Sequence, residues 1–149
     1  MPCEYKLIRQ VEFSDTDMAG IVHFSNFCKY MEAAEHAFFR SLGFSVHTTG
    51  FGEDLGWPRV HVSLDFRAPL RFEDQVEIHI RVREKRRKSL VYDFVFRKLN
   101  DGPPAEVARG SLAVACVRRD KATGALYGVP IPPEIAARIE PAPPEAGES

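Results

Sequence analysis

Two acids, Asp15 and Asp17, stand in the stretch SDTDMAGIVHFSNF, just ahead of Gly20 and a His-bearing apolar run that opens a helical pattern. Asp residues in such a place commonly shape turns, their carboxylates accepting from nearby backbone N–H groups. Their second use is chemical. A carboxylate attacks a carbonyl or deprotonates water, while the first turn of a helix presents N–H groups without intrahelical partners at the positive end of its dipole. Gly20 allows the backbone to approach closely. An acid on one side of a carbonyl and N–H donors on the other is what acyl transfer requires, and residues 15–26 hold both.

A second group lies in EKRRKSL, residues 84–90, where Lys85, Arg86, Arg87 and Lys88 are adjacent. Charged residues commonly cover a solvated hairpin end. Four cations together also suit a phosphorylated ligand. Over the whole chain the charges balance, with 20 Lys and Arg against 21 Asp and Glu, so no global field draws the chain to nucleic acid or an anionic membrane. The expected partner is a small molecule.

Other chemistries lack their motifs. No G-x-x-x-x-G-K-[ST], G-x-G-x-x-G or G-x-S-x-G occurs where its context requires, and Ser111 falls inside a strand pattern. The histidines show no H-x-x-x-H spacing and Cys3, Cys28 and Cys116 no C-x-x-C pair, so neither a metal nor another cofactor is expected. Odd, widely spaced cysteines and an N-terminus without an apolar leader point to a soluble protein of a reducing cytoplasm. His23 with Glu35 is the one acid–base pair that would suit a hydratase or dehydratase. A non-catalytic ligand sensor would need the basic stretch and no Asp17.

The elements that must position these residues follow from periodicity. Tyr5 to Phe13 alternates as a half-buried strand with Tyr5, Leu7, Val11 and Phe13 inward. Phe27, Met31, Ala34, Phe38 and Leu42 form one apolar stripe of a helix of about 18 residues, roughly 27 Å long, with Ser25 or Asn26 as its cap and Glu32 and His36 paired on its surface. Glu35 belongs to its solvated face. After a loop from Phe44 to Gly56, four more strands are predicted. Val60, Val62, Leu64 and Phe66 face inward in the first, and Val76, Ile78, Ile80 and Val82 in the next, with His79 outward. A strand from Ser89 to Lys98 ends at the NDGPP turn, and Val107 to Val117 reads as a central strand. One helix and five strands in β-α-β-β-β-β order pack as an antiparallel sheet curled around the helix, an α+β architecture. A short helix is predicted in PPEIAARI. Val91, Val95, Val114 and Cys116 fall on a second sheet face, which predicts a partner subunit to cover them.

FSDTDMAGIVHFSNFCKYMEAAE resembles the signature of hotdog-fold acyl-CoA thioesterases of the 4-hydroxybenzoyl-CoA thioesterase type, roughly D-x-D-x-x-G-[IV]-V-[aromatic]-x-x-N-[aromatic]. The likeness continues through DFRAPLRFEDQVEI, RRKS and VPIPPEI. It implies a single hotdog thioesterase domain over 1–140, a five-stranded sheet wrapped around one long central helix, and a disordered Pro-rich acidic tail over 141–149. Asp17 matches the family's catalytic carboxylate, as nucleophile or general base, and Asp15 takes the turn-shaping role. The Phe24 backbone N–H matches the donor that polarises the thioester carbonyl. Gly20 and Asn26 match loop-shaping positions, and Arg86, Arg87 and Lys88 the segment that contacts CoA phosphates. His23, Phe24 and Phe27 would line a slot for the acyl group. His23 departs from the pattern, standing where relatives carry an aromatic residue, and so inherits no catalytic role. The family's site lies at a subunit interface, so the implied state is a homodimer or homotetramer. The acyl group, aromatic or aliphatic, and its carrier, CoA or an acyl carrier protein, stay open.

Overall fold

The computed structural model describes residues 3–47 and 55–144. Most of the loop expected between Phe44 and Gly56, and the last residues of the tail, lie outside them. Strand β1 (Glu4–Gln10) leads through a short 3₁₀ turn into helix α1 (Ser25–Ser41), followed by β2 (Arg59–Phe66), β3 (Gln75–Lys85), β4 (Ser89–Lys98) and β5 (Ala105–Ala115). These form one antiparallel sheet in the order β1-β3-β4-β5-β2. A small hairpin, β6 (Val117–Arg119) with β7 (Leu126–Gly128), and the short helix α2 (Pro133–Ala136) complete the chain.

The helix lies on the sheet as its periodicity requires. Phe27, Met31, Ala34 and Phe38 are buried against Val76, Ile78, Ile80 and Val82 of β3 and Leu90, Tyr92, Phe94 and Phe96 of β4. Each of the Val, Leu, Ile, Phe and Met side chains among them contributes about 1.5–3 kcal/mol when fully buried. Gly110 of β5 is required beneath the helix: a Cβ there would stand 2.4 Å from the Ser63 carbonyl oxygen and 3.0 Å from the Met31 methyl. Among the described residues, no helix is long and apolar enough to cross a membrane.

Several expectations are corrected. Strand β5 is interior, between β4 and β2, as its apolar run requires, but it spans Ala105–Ala115 and not Val107 to Val117. Strand β1 stops at Gln10, and Phe13 turns outward into an edge contact with Phe72 at 6.0 Å between centroids. Val60, Val62 and Phe66 alternate as a half-buried strand should, yet all are exposed, because β2 is a sheet edge. Val91, Val95, Val114 and Cys116 are already buried within the single chain, so they give no argument for a partner. His79 is on the sheet face away from α1 as alternation requires, but buried there: its Nε2 meets Glu4 Oε1, and Arg97 donates to its Nδ1 at 3.2 Å. Of the tail expected to be unstructured, Ala142 donates its N–H to the Val82 carbonyl at 2.7 Å and Pro143 accepts from Arg81 at 2.6 Å.

Candidate active site

The turn between β1 and α1 is built by Asp15. Its Oδ2 accepts the Glu12 N–H at 2.9 Å and the Tyr30 hydroxyl at 3.0 Å. Its carbonyl accepts the His23 N–H at 2.9 Å and Asn26 Nδ2 at 2.8 Å. Asn26 and Tyr30 are one helical turn apart on the buried face of α1, so two rungs of the helix grip one residue of the turn. Burial, and then the hydrogen bond to Asp15, push the Tyr30 hydroxyl well above its usual range, keeping it a donor. Sequence reading missed Tyr30 because it reports apolar stripes. The available signal was a hydroxyl four residues beyond Asn26.

Asp17 is exposed two residues further on. Its Oδ1 accepts the Ala19 N–H at 2.8 Å, its carbonyl accepts the Gly20 N–H at 2.9 Å, and its own N–H reaches the Ile21 carbonyl at 2.9 Å. Gly20 has φ +80°, the left-handed region where a side chain costs about 1–2 kcal/mol. The loop is therefore a tight turn that projects the Asp17 carboxylate outward. Behind it, the Val22 N–H bonds to the Leu70 carbonyl at 2.8 Å, tying the loop to the approach of β3.

The entry of α1 leaves one amide unused. Amides of His23, Asn26 and Phe27 donate to the carbonyls of Asp15, His23 and Phe24 respectively, and that of Ser25 reaches His23 Nδ1 at 3.3 Å. Among the described residues, nothing accepts the Phe24 N–H. No side-chain cap bond is made at Phe24. Ser25 and Asn26 do not cap the helix as expected: Ser25 Oγ pairs with His23 Nδ1 at 2.8 Å and Asn26 turns back to Asp15. His23 instead stacks on Phe24 with centroids 4.7 Å apart. Phe24 is 66% exposed, whereas Phe27 is buried between Phe66 and Phe96, 5.0 and 5.1 Å from its ring centroid. Asp17, Gly20, His23, Phe24 and Asn26 thus gather on one loop, with Phe27 beneath.

The structure separates two other sets. Glu35 is fully buried, not solvated, and is gripped by Arg59 at 2.7 Å. Glu32 also takes Arg59, at 3.2 Å, in place of the expected His36. His23 and Glu35 are twelve positions apart, about 18 Å along a helix, so they do not form an acid–base pair. Arg86, Arg87 and Lys88 form the exposed turn between β3 and β4, with Arg86 paired to Glu84. That turn lies at the far end of β3 from the Asp17 loop, about 33 Å away at 3.3 Å per residue. Within one chain the candidate catalytic acid and the basic turn are not brought together.

The chain and its fold have counterparts among known proteins. The model of the Thioesterase superfamily matches residues 19–105. Over 85 residues the chain is 32% identical to a 4-hydroxybenzoyl-CoA thioesterase of Pseudomonas sp. strain CBS-3, covering 56% of this chain and 60% of that one. Over 72 residues it is 33% identical to a 1,4-dihydroxy-2-naphthoyl-CoA hydrolase of Crocosphaera subtropica, covering 48% and 53%. These matches therefore span little more than half of each relative. A solved gentisyl-coenzyme A thioesterase superposes with a TM-score of 0.74 at 32% identity, over 88% of this chain and 98% of that one.

Proposed function

The chain belongs to the Thioesterase superfamily, and we propose that it hydrolyses an acyl-CoA to the free acid and CoA. The observation that carries this reading is the Phe24 N–H, which has no acceptor among the described residues and stands at the mouth of α1 beside the exposed Asp17 turn. In the proposed reaction that N–H stabilises the negative charge developing on the thioester oxygen. Asp17 either takes a proton from the attacking water or attacks the carbonyl itself. The carbon–sulfur bond then breaks and CoA leaves as its thiolate, which is protonated to the thiol; in the route where Asp17 itself attacks, water then cleaves the Asp17–acyl anhydride to release the acid and restore the carboxylate. His23, Phe24 and Phe27, with Gly20 and Asn26 shaping the loop, border the acyl group. Relatives named for aromatic acyl-CoAs favour an aromatic acyl group here.

Arg86, Arg87 and Lys88 are proposed to hold the CoA phosphates of the partner's site. The edge strand β2 supports this: Val60, Val62 and Phe66 expose apolar surface, and the backbone of a sheet edge accepts another strand. A two-fold axis that pairs β2 with a second β2 antiparallel reverses the sheet direction across the interface. Each chain's basic turn then stands at the same end as its partner's Asp17 loop.

The experiment is free-thiol release from aromatic and aliphatic acyl-CoAs by the wild-type chain and Asp17→Asn. Turnover of the aromatic substrates should fall on the order of a hundredfold or more in the variant with CoA binding retained. Release indifferent to Asp17 would remove that residue from the chemistry, and no release from any thioester would favour a binding protein.

A further inference from the structure

The face of the sheet turned away from α1 holds a cavity of about 470 Å³ that the reaction above leaves unused. Its floor is β4, where Asp93 and Val95 alternate with the buried Tyr92, Phe94 and Phe96. Arg81 of β3 stands opposite Asp93 and Arg109 of β5 opposite Val95 in the strand register, while Arg83 and the Ala142–Pro144 segment close the sides.

The charge there is unlike the charge of the whole. The chain carries a formal net charge of −1, yet three guanidinium groups, Arg81, Arg83 and Arg109, line this one cavity with Asp93 as its single carboxylate. Arg83 pairs with Asp93 at 2.9 Å, Arg81 donates to the Pro143 carbonyl at 2.6 Å, and Arg109 reaches Glu106, outside the lining, at 2.7 Å. His79, also in the lining, has Nδ1 filled by a donor from Arg97 and Nε2 directed at Glu4. The volume is in the range of small-molecule pockets. Arg83 is also three residues before Arg86 of the β3–β4 turn.

We propose that this cavity is a binding site for a phosphate monoester. Several rigid guanidinium forks around a concave surface match the oxygens of a tetrahedral dianion better than those of a single planar carboxylate. The group comes either from the nucleotide end of the CoA substrate, a source that rests on the thioesterase reading, or from a separate phosphorylated metabolite.

Titration calorimetry on the full chain, with adenosine 3′,5′-bisphosphate and with inorganic phosphate, tests the site without turnover and so independently of the thioesterase reading. The double variant Arg83→Gln with Arg109→Gln should bind the bisphosphate at least about tenfold more weakly. Thermal melting checks its fold, and Arg83→Gln alone, on a half-exposed residue, serves if the double variant is unstable. A parallel rise in KM for acyl-CoA, with unchanged turnover of an acyl-N-acetylcysteamine that lacks the nucleotide, identifies CoA as the source. Lost binding with an unchanged KM identifies a separate phosphorylated ligand. Binding equal to wild type in the folded variants, or no binding of either probe by the wild-type chain, overturns the proposal.

Discussion

Asp15 and Asp17 are chemically identical, and their surroundings divide the work between them. Asp15 is consumed by Glu12, His23, Asn26 and Tyr30, whereas the Asp17 carboxylate accepts only the Ala19 N–H among the bonds observed. The first is therefore the turn's anchor, and the second is exposed, as the proposed reaction requires. Tyr30 is a positioning residue in this scheme: it fixes the turn relative to the helix that supplies the Phe24 N–H. Tyr30→Phe removes one hydroxyl and little volume. It should lower kcat about tenfold, leave KM near its wild-type value, and cost about 1–2 kcal/mol in denaturant unfolding. A loss of stability with kcat unchanged would leave Tyr30 as a structural strut.

At the scale of elements, the loop entering β3 supports the site from behind. Asp74 organises it, accepting the Arg71 N–H at 2.7 Å and Asn100 Nδ2 at 2.8 Å, with Lys98 at 3.5 Å. Arg71 in turn bridges to Ile21 beside Gly20. Burial pushes the Asp74 carboxyl upward, but the bonds from Asn100 and Arg71 and the charge of Lys98 outweigh it and hold the group below its ordinary value. A carboxyl with a lowered folded pKa stabilises the fold above its unfolded pKa, near 4, and that contribution is lost as pH falls through the folded value. The stability gap between wild type and Asp74→Asn, measured by urea unfolding, should therefore be largest near neutrality and shrink below about pH 4. A gap independent of pH would refute the ionic part of this account. In the sheet beneath the helix, Gly110→Ala drives a methyl group into the Ser63 carbonyl of β2. The expected cost is about 1–3 kcal/mol, read as a lowered melting temperature.

For the whole molecule, the separation of the basic turn from Asp17 along β3 predicts that the proposed function depends on assembly. Val62 lies in the middle of β2, 47% exposed on an apolar sheet edge. Val62→Lys places a charge where two edges would meet, a device that blocks strand pairing. Sedimentation should find a dimer or larger species for the wild-type chain and a shift towards monomer for the variant, with KM for acyl-CoA rising as the partner's basic turn is lost. A wild-type monomer with full activity would show that one chain completes its own site.

The sequence by itself determined most of the elements and where the loop that carries the candidate site falls between β1 and α1. Alternation and helical spacing depend on backbone geometry shared by all proteins, so α1 and β4 emerged nearly to the residue, while β3 runs on to Lys85 into the charged stretch. The Asp15–Asn26 stretch was legible because its parts are close in the chain and meet through a turn and a helix start. Tertiary structure alone decided what depends on distant neighbours. Glu35 sits on a helix that reads as solvated at that position, and Arg59, twenty-four residues away, pairs with it where it is buried. His79 is outward by alternation and buried by Glu4 and Arg97. The exposure of β2 and the burial of Val91 and Val95 follow from strand order and from what covers each face, which no spacing records. The same holds for the arginine-lined cavity: Arg81, Asp93 and Arg109 meet through register across three strands, a relation set by packing rather than by proximity along the chain.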